Sequence, residues 1–246
     1  MEKKPADYRV RSYRNNIVKN NLNVFNVSIE ESDLFISTDY NLAAESLTSL
    51  YQARQIIEAY IKDHADFLTS LKPIHFEITP PSPVSEMLEA SRAAGVGPMA
   101  AVAGAIAEYV GKELGRYSRN VIVENGGDIY ADTVCEIQVG IFAGKSPLSD
   151  RVSIKISTEE MPLGLCTSSG TVGHSLSFGK ADACCVKAKS AALADAAATA
   201  VGNLVQSPRD IQAALEEGMK IKGVLGAVII VADTLGAIGD ITLQKP

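Results

Sequence analysis

The sequence predicts an α+β fold in which antiparallel sheets pack against helices, and two observations carry this prediction. Apolar or alternating runs come in pairs joined by turn residues, as in antiparallel hairpins. Segments with helical periodicity are bunched between these pairs, which disfavours a doubly wound parallel sheet. At 246 residues the chain can bury a full core, and we expect a single domain over 1–246 built of two halves, 1–150 and 151–246.

The elements follow from local patterns. VFNVSIEESDLFISTD alternates apolar and polar residues on both sides of EESD and predicts a hairpin. Apolar residues at spacings of three and four predict a helix from about Leu42 to His64. After the proline-rich segment KPIHFEITPPSP, we expect a short helix over 84–94 and a second helix that begins at Pro98. EIQVGIF and RVSIKIS predict two further strands joined by a turn.

Two helical segments resemble each other. AVAGAIAEYVG (101–111) and ALADAAATAVG (192–202) share six identities in eleven positions, although both are rich in alanine. Each is followed by an apolar strand and a Gly-Asp turn. This pattern predicts an internal duplication of helix-plus-hairpin halves.

Composition excludes several classes of protein. A formal net charge of -6 disfavours a dedicated nucleic-acid binder, and no apolar run has the length of a membrane span. The first residues lack the apolar core of a signal peptide, so we expect a cytoplasmic protein. The four cysteines form no CxxC pair, and the adjacent Cys184 and Cys185 should alternate between two faces of a strand in the core.

Two polar turns are candidates for ligand binding. In VENGGDIY an apolar strand ends in a Gly-Gly turn, which can reverse the chain or bring the backbone close to a ligand. LCTSSGTVGHS is dense in hydroxyls and glycines, which suits either an anion pocket or a flexible surface loop. The candidate binding residues in these turns are Asn125, Gly126, Gly127, Asp128, Thr167, Ser168, Ser169 and Gly170.

Two residues are candidates for acid–base chemistry. His174 lies in a polar, glycine-flanked loop, where proton transfer or phosphate contact is easier than in a core. Asp182 in FGKADACCV is the second candidate, with a surface ion pair as the alternative.

An aspartate also interrupts the most alanine-rich helix. Asp195, Thr199 and Asn203 are one turn apart and lie along one edge of that helix. A carboxylate among alanines is costly unless something pairs with it, so Asp195 either caps a neighbouring backbone segment or binds a ligand. A carboxylate and a hydroxyl one turn apart suit a hard cation such as Mg²⁺.

Taken in order, these stretches resemble the motifs of the ApbE family of flavin transferases, which cleave FAD and attach FMN to a threonine of a target protein. GAIAEYVG resembles the family's GGIAKGYA helix, and Asn125–Asp128 matches its NxGGD turn. CTSSG matches its TSG loop, and ADAAAT matches its AD-x-x-AT helix. The resemblance implies that Asp195 and Thr199 hold Mg²⁺ and that the two turns line a nucleotide pocket for FAD or FMN.

The chain is more similar to a branch of that family found largely in methanogens and other anaerobes, and it departs from the transferases in particular positions. Glu108 stands where the transferase helix has a lysine, and His174 is followed by SLSFGKAD rather than an Asp-Pro turn. The lysine's absence would remove a positive charge from the pocket.

Three functions therefore stay open. The first is a Mg²⁺-dependent enzyme that cleaves FAD or transfers FMN to a protein acceptor. The second is a non-catalytic flavin or nucleotide carrier that acts with partner proteins in anaerobic sulfur (homocysteine) metabolism, as the resemblance implies. The third is a scaffold with a vestigial pocket. A homodimer is a further expectation, because helix faces of small residues pack closely.

Overall fold

The computed structural model describes residues 22–76, 78–172 and 177–246. Its strands are β1 (Asn23–Ile29), β2 (Ser32–Thr38), β3 (Val121–Asn125), β4 (Asp128–Asp132), β5 (Ile137–Gly140), β6 (Ser153–Ile156), β7 (Leu163–Ser168), β8 (Ala183–Ala188), β9 (Val224–Val231), β10 (Thr234–Gly239) and β11 (Thr242–Gln244). Its α-helices are α1 (Ala43–Asp63), α2 (Ala65–Thr69), α3 (Val84–Ala94), α4 (Val102–Leu114), α5 (Ala191–Asn203) and α6 (Ile211–Met219). Short 3₁₀ helices cover Pro98–Ala101, Thr158–Glu160 and Pro208–Asp210.

The strands form two antiparallel sheets. The larger sheet has the order β1-β2-β3-β4-β7-β8-β9-β10, and the smaller has the order β11-β6-β5. Every pairing among these strands is antiparallel. The predicted α+β class with antiparallel sheets and packed helices is therefore confirmed.

The local predictions agree with these elements. The first hairpin is β1–β2, the long helix is α1, and the short helix over 84–94 is α3. The helix expected from Pro98 begins there as one 3₁₀ turn, with proline in its first position, before α4 continues it. EIQVGIF and RVSIKIS contain β5 and β6, which pair with each other in the small sheet.

The eight-stranded sheet consists of two sets of four strands with the same plan. In each set a pair of adjacent strands leads into helices and then into a hairpin: β1–β2 and β3–β4 in the first, β7–β8 and β9–β10 in the second. The two similar segments lie in α4 and α5, which touch where Gly104 meets Ala191. The common plan agrees with an internal duplication, which stays a prediction, as do the boundaries of the halves.

The large sheet is covered on both faces. Val121 and Val123 of β3 pack with α1, α3 and α4, whereas Ile122 between them packs with the small sheet. In β8, Cys184 faces α5 and α6 and Cys185 faces the small sheet, so the alternation expected for these cysteines is confirmed.

The described residues contain no single helix that is both long enough and apolar enough to cross a membrane. Only α3 taken together with the segment Pro98–Leu114 meets those limits, and that pair is bent by 107°.

Candidate functional site

The β3–β4 turn is built by two glycines in the left-handed region. Gly126 has a φ of 69° and Gly127 a φ of 108°, which side chains rarely permit. The amide of Gly127 donates to Oε1 of the buried Glu124 at 2.7 Å. The turn therefore closes the β3–β4 hairpin. Its two glycines also line a cavity.

That cavity lies where the β3–β4 turn, the end of β7, the small sheet and α5 meet, and its volume is about 100 Å³. Eight of the twelve residues predicted as site residues line it: Gly126, Gly127, Asp128, Thr167, Ser168, Ser169, Asp195 and Thr199. We call it the polar pocket. It also has apolar walls, to which β5 and the residues after it contribute Val139, Ile141 and Phe142.

Asp195 both caps a helix and borders the polar pocket. Its Oδ2 accepts the amide of Gly104, in the first turn of α4, at 2.9 Å. The side chain is half-buried at the pocket wall. Burial raises its pKa to about 7, against the opposing effect of the α4 amides. The sequence posed capping and ligand binding as alternatives, and in the structure Asp195 caps α4 and also borders the polar pocket.

Asp128 stands next to this carboxylate with one oxygen unpaired. The residue is 7% exposed, and its Oδ1 is buried without a hydrogen-bond partner. Burial first, and the charge of Asp195 second, raise the pKa of Asp128 well above its ordinary value, against hydrogen bonds to its carboxylate from the Cys166 thiol and the Thr167 backbone. A buried acceptor without a donor beside a second carboxylate is a costly arrangement that a bound cation would relieve.

The chemistry of these side chains suits Mg²⁺. The cation prefers oxygen ligands, keeps several waters and accepts substrate oxygens, and the pocket offers the carboxylates of Asp128 and Asp195 and the hydroxyl of Thr199. In the part of the chain that the structure describes, no cluster of three or more His, Cys, Asp or Glu side chains could hold a metal alone. A cation here would therefore complete its coordination with water or with a ligand.

The described wall of the polar pocket carries no lysine, arginine or histidine. Its charged residues are three acids, Glu124, Asp128 and Asp195. Each of these acids would repel an anionic ligand when it is ionised, unless a cation lay between them.

Glu108 lies outside this wall, at the start of α5. Its Oε2 accepts the amides of Ala191 and Ala192 at 2.7 and 3.3 Å, and its Oε1 contacts Nζ of Lys112 at 2.7 Å. The residue that stands in place of the transferase lysine is thus a buried helix cap, paired with a cation on its own helix. Sequence reasoning missed this role because the contact joins residues that lie 83 positions apart.

The remaining predicted residues have other surroundings. Asn125 donates Nδ2 to the carbonyl of Ala103 at 3.1 Å, and the amide of Gly170 donates to the carbonyl of Ala181. Asp182 accepts the Thr171 hydroxyl and the Ala232 amide at 3.0 and 2.7 Å. Asp182 therefore joins the loop after β7 to the β9–β10 turn.

His174 lies outside the described residues.

Comparisons with known proteins agree with this architecture. The family model described as AbpE bacteria matches residues 15–242. The UPF0280 protein of Methanococcus aeolicus is 42% identical over 224 residues, which cover 87% of this chain and 89% of that protein. The UPF0280 protein of Methanocaldococcus jannaschii is 40% identical over 223 residues, covering 87% and 90%.

A solved structure shares the fold. The ApbE protein of Thermotoga maritima superposes with a TM-score of 0.55 at 12% identity, over 87% of this chain and 96% of that one. The family match spans most of the chain, and the methanogen relatives align over nearly their whole length. The chain therefore belongs to the ApbE-like family.

Proposed function

We propose that this protein binds a flavin nucleotide, FAD or FMN, together with Mg²⁺, and that the phosphates and the cation occupy the polar pocket. The observation that carries the proposal is the unpaired Oδ1 of Asp128 beside the carboxylate of Asp195. A buried acid beside a half-buried one, with no basic side chain in the described wall, favours a ligand that brings its own positive charge. The ApbE-like motifs supply the flavin part of the proposal.

In this proposal Asp195 and Thr199 hold the cation, and Asp128 supports it from the β3–β4 turn. The bound Mg²⁺ would neutralise charge on the phosphates. The hydroxyls of Thr167, Ser168 and Ser169 would orient phosphate oxygens through neutral hydrogen bonds.

For Asp182 we propose a positioning role. Thr171, which it holds, adjoins Val172 in the pocket wall, and the hydroxyl of Ser169 accepts the amides of both residues. Asp182 would therefore fix the conformation of the loop 169–172 beside the polar pocket. His174 remains our proposed proton carrier.

The reaction class we favour is Mg²⁺-dependent cleavage of FAD, with or without transfer of FMN to a protein acceptor. The second candidate is a carrier that keeps its flavin intact. One feature of the described pocket wall favours the carrier. The wall has no basic side chain that could transfer a proton to a leaving group.

The test is to incubate the purified protein with FAD, with and without Mg²⁺, and to measure AMP and retained flavin by chromatography. Asp195→Asn keeps the shape of the side chain and should abolish AMP production and the Mg²⁺-dependent part of flavin retention. Asp63→Asn, at the exposed end of α1, is the matched control and should change neither.

AMP production supports the enzyme, and retained intact FAD supports the carrier. Absence of both, in the wild type with Mg²⁺ and a Ser/Thr acceptor protein present, would reject the proposal and leave the scaffold hypothesis.

A further inference from the structure

A second and larger cavity lies behind the β3–β4 turn, between α1, α4 and the β1–β2 turn, with a volume of about 440 Å³. Its wall is mainly apolar and includes Ile57, Ile61, Leu68, Met99, Val102 and Ile106. We call it the ring cavity. Cavities of roughly 300–1,000 Å³ with apolar walls and a few fixed polar groups are typical of small-molecule sites.

Arg54 presents a fixed planar cation in this wall. One terminal nitrogen donates to Oγ of Ser32 at 3.0 Å, and the other contacts Glu30, Glu31 and Glu58 at 2.6, 3.2 and 3.1 Å. The side chain is 13% exposed. With both terminal nitrogens engaged, the flat face of the guanidinium is a contact that it can still offer, and such a face stacks on aromatic rings.

The ring cavity and the polar pocket meet at one hydrogen bond. Asn125 and Ala103 both line the ring cavity, and Nδ2 of Asn125 donates to the carbonyl of Ala103 at 3.1 Å. The residue that follows each of them in the chain contacts the polar pocket. Gly126 lines the polar pocket, and Gly104 donates its amide to Asp195 there.

We propose that the ring cavity binds a flat heteroaromatic ring of the same nucleotide whose phosphates and cation occupy the polar pocket, an inference that rests on the proposed function. The polar pocket, at about 100 Å³, is below the usual range for a nucleotide site, whereas the ring cavity is within it. The apolar wall and the face of Arg54 suit a planar ring better than a phosphate. The linker of the nucleotide would pass Asn125.

The experiment measures binding of ligands that contain only one part of the nucleotide. Riboflavin and adenosine carry a ring without phosphate, and FMN and ADP add the phosphates. We expect one of the two ring compounds to bind without Mg²⁺, and its phosphorylated form to bind more tightly when Mg²⁺ is present. Which ring compound binds identifies the ring.

Ile61→Trp fills the ring cavity and should weaken ring binding at least about tenfold. Leu47→Trp is the matched control, because it adds the same side chain on an exposed position of α1 outside the cavity wall, and we expect less than about a twofold change. Arg54→Lys keeps the charge but removes the planar face, so it should also weaken ring binding.

A measurement on the unaltered protein covers the case in which Ile61→Trp does not fold. Nuclear Overhauser contacts from ligand ring protons should reach the methyl groups of Ile57, Ile61 and Met99. Contacts to Val139 and Ile141 of the polar pocket instead would overturn the inference.

The two proposals fail differently. If Ile61→Trp and Arg54→Lys bind the ring normally while Asp195→Asn loses Mg²⁺-dependent binding, the ring cavity is excluded and the proposed function stands. If riboflavin or adenosine binds at Ile57 and Met99 but Mg²⁺ never strengthens FMN or ADP, the proposed function fails and the ring cavity remains. Binding of neither ring compound overturns the inference.

Discussion

Glu108 of α4 and Asp195 of α5 each cap the start of the other's helix, but the two carboxylates have different surroundings. Each carboxylate accepts a backbone amide in the first turn of the other helix: Glu108 at Ala191 and Ala192, Asp195 at Gly104. Glu108 adds an ion pair with Lys112. Asp195 instead stands beside the acid Asp128 and a cavity.

The difference separates a carboxylate whose charge the protein compensates from one that we propose binds a cation. Glu108 has amide donors and a cation, so its charge is compensated within the protein. Asp195 has amide donors but a second acid, Asp128, as its neighbour, and burial raises the pKa of Asp195 to about 7. A helix cap alone does not require that arrangement, and we propose that a bound cation would compensate for it.

The largest expected effect comes from the close approach of the two helices. A Cβ on Gly104 would lie 2.2 Å from the carbonyl oxygen of Ala191, so α4 and α5 would have to separate. We expect Gly104→Ala to lower the free energy of unfolding by about 3 kcal/mol or more, measured by urea denaturation.

Gly115→Ala, at the C-terminal cap of the same helix, is the control for this change. Gly115 has a φ of -58°, and its Cβ would have its nearest contact at 3.4 Å. It should be neutral or slightly stabilising. Equal losses for both variants would show that the helix contact is not specific.

The next effect is removal of the structural carboxylate. Glu108→Ala leaves two amides at the start of α5 without their acceptor, and we expect a loss of about 2–3 kcal/mol in the same measurement. Glu108→Gln keeps an acceptor and should cost less. If either folded variant lost Mg²⁺-dependent nucleotide binding, Glu108 would belong to the functional site after all.

The carboxylate of Asp195 should instead affect how the free energy of unfolding depends on pH. Because the folded state raises the pKa of Asp195 from 3.8 to about 7, its contribution weakens folding progressively as pH rises from about 4 to about 7, and the loss persists above that pH. Without Mg²⁺, the wild type should lose about 2 kcal/mol relative to Asp195→Asn between pH 5.5 and pH 8. Parallel profiles would contradict the assigned environment of Asp195.

The smallest effect concerns the ion pair that neutralises Glu108. Lys112 is about half exposed, and its pair with Glu108 joins positions i and i+4. Lys112→Ala should cost under about 1 kcal/mol and leave nucleotide binding unchanged, as followed by denaturation and by flavin fluorescence. A loss as large as that of Glu108→Ala would assign the stabilisation to charge rather than to helix capping.

Much of the fold could be predicted because its signals are local. Alternation in VFNVSIEESDLFISTD, the proline at 98 and the Gly-Gly turn each determine the conformation of a few neighbouring residues. The stripe of Asp195 and Thr199 was also predictable, since helical spacing places both on one edge.

The contacts between distant segments could not be predicted in this way. The caps made by Glu108 and Asp195 join residues 83 and 91 positions apart, and the bond from Asn125 to Ala103 depends on how α4 lies against β3. Position 108 suggested a charge lost from the pocket, whereas the carboxylate stabilises α5. The ring cavity has no sequence signal, because its wall comes from five separate helices and turns and from the ends of two strands.

The most direct test of the central claim is a crystal of the protein soaked in Mn²⁺, with data collected for anomalous scattering. We predict a peak at about 2.1–2.2 Å from a carboxylate oxygen of Asp195 and from Oγ1 of Thr199, with Asp128 turned toward it. A map with no peak at these residues, in which Asp195 contacts only the amides of α4 and Oδ1 of Asp128 lies against a polar group of the protein, would contradict it.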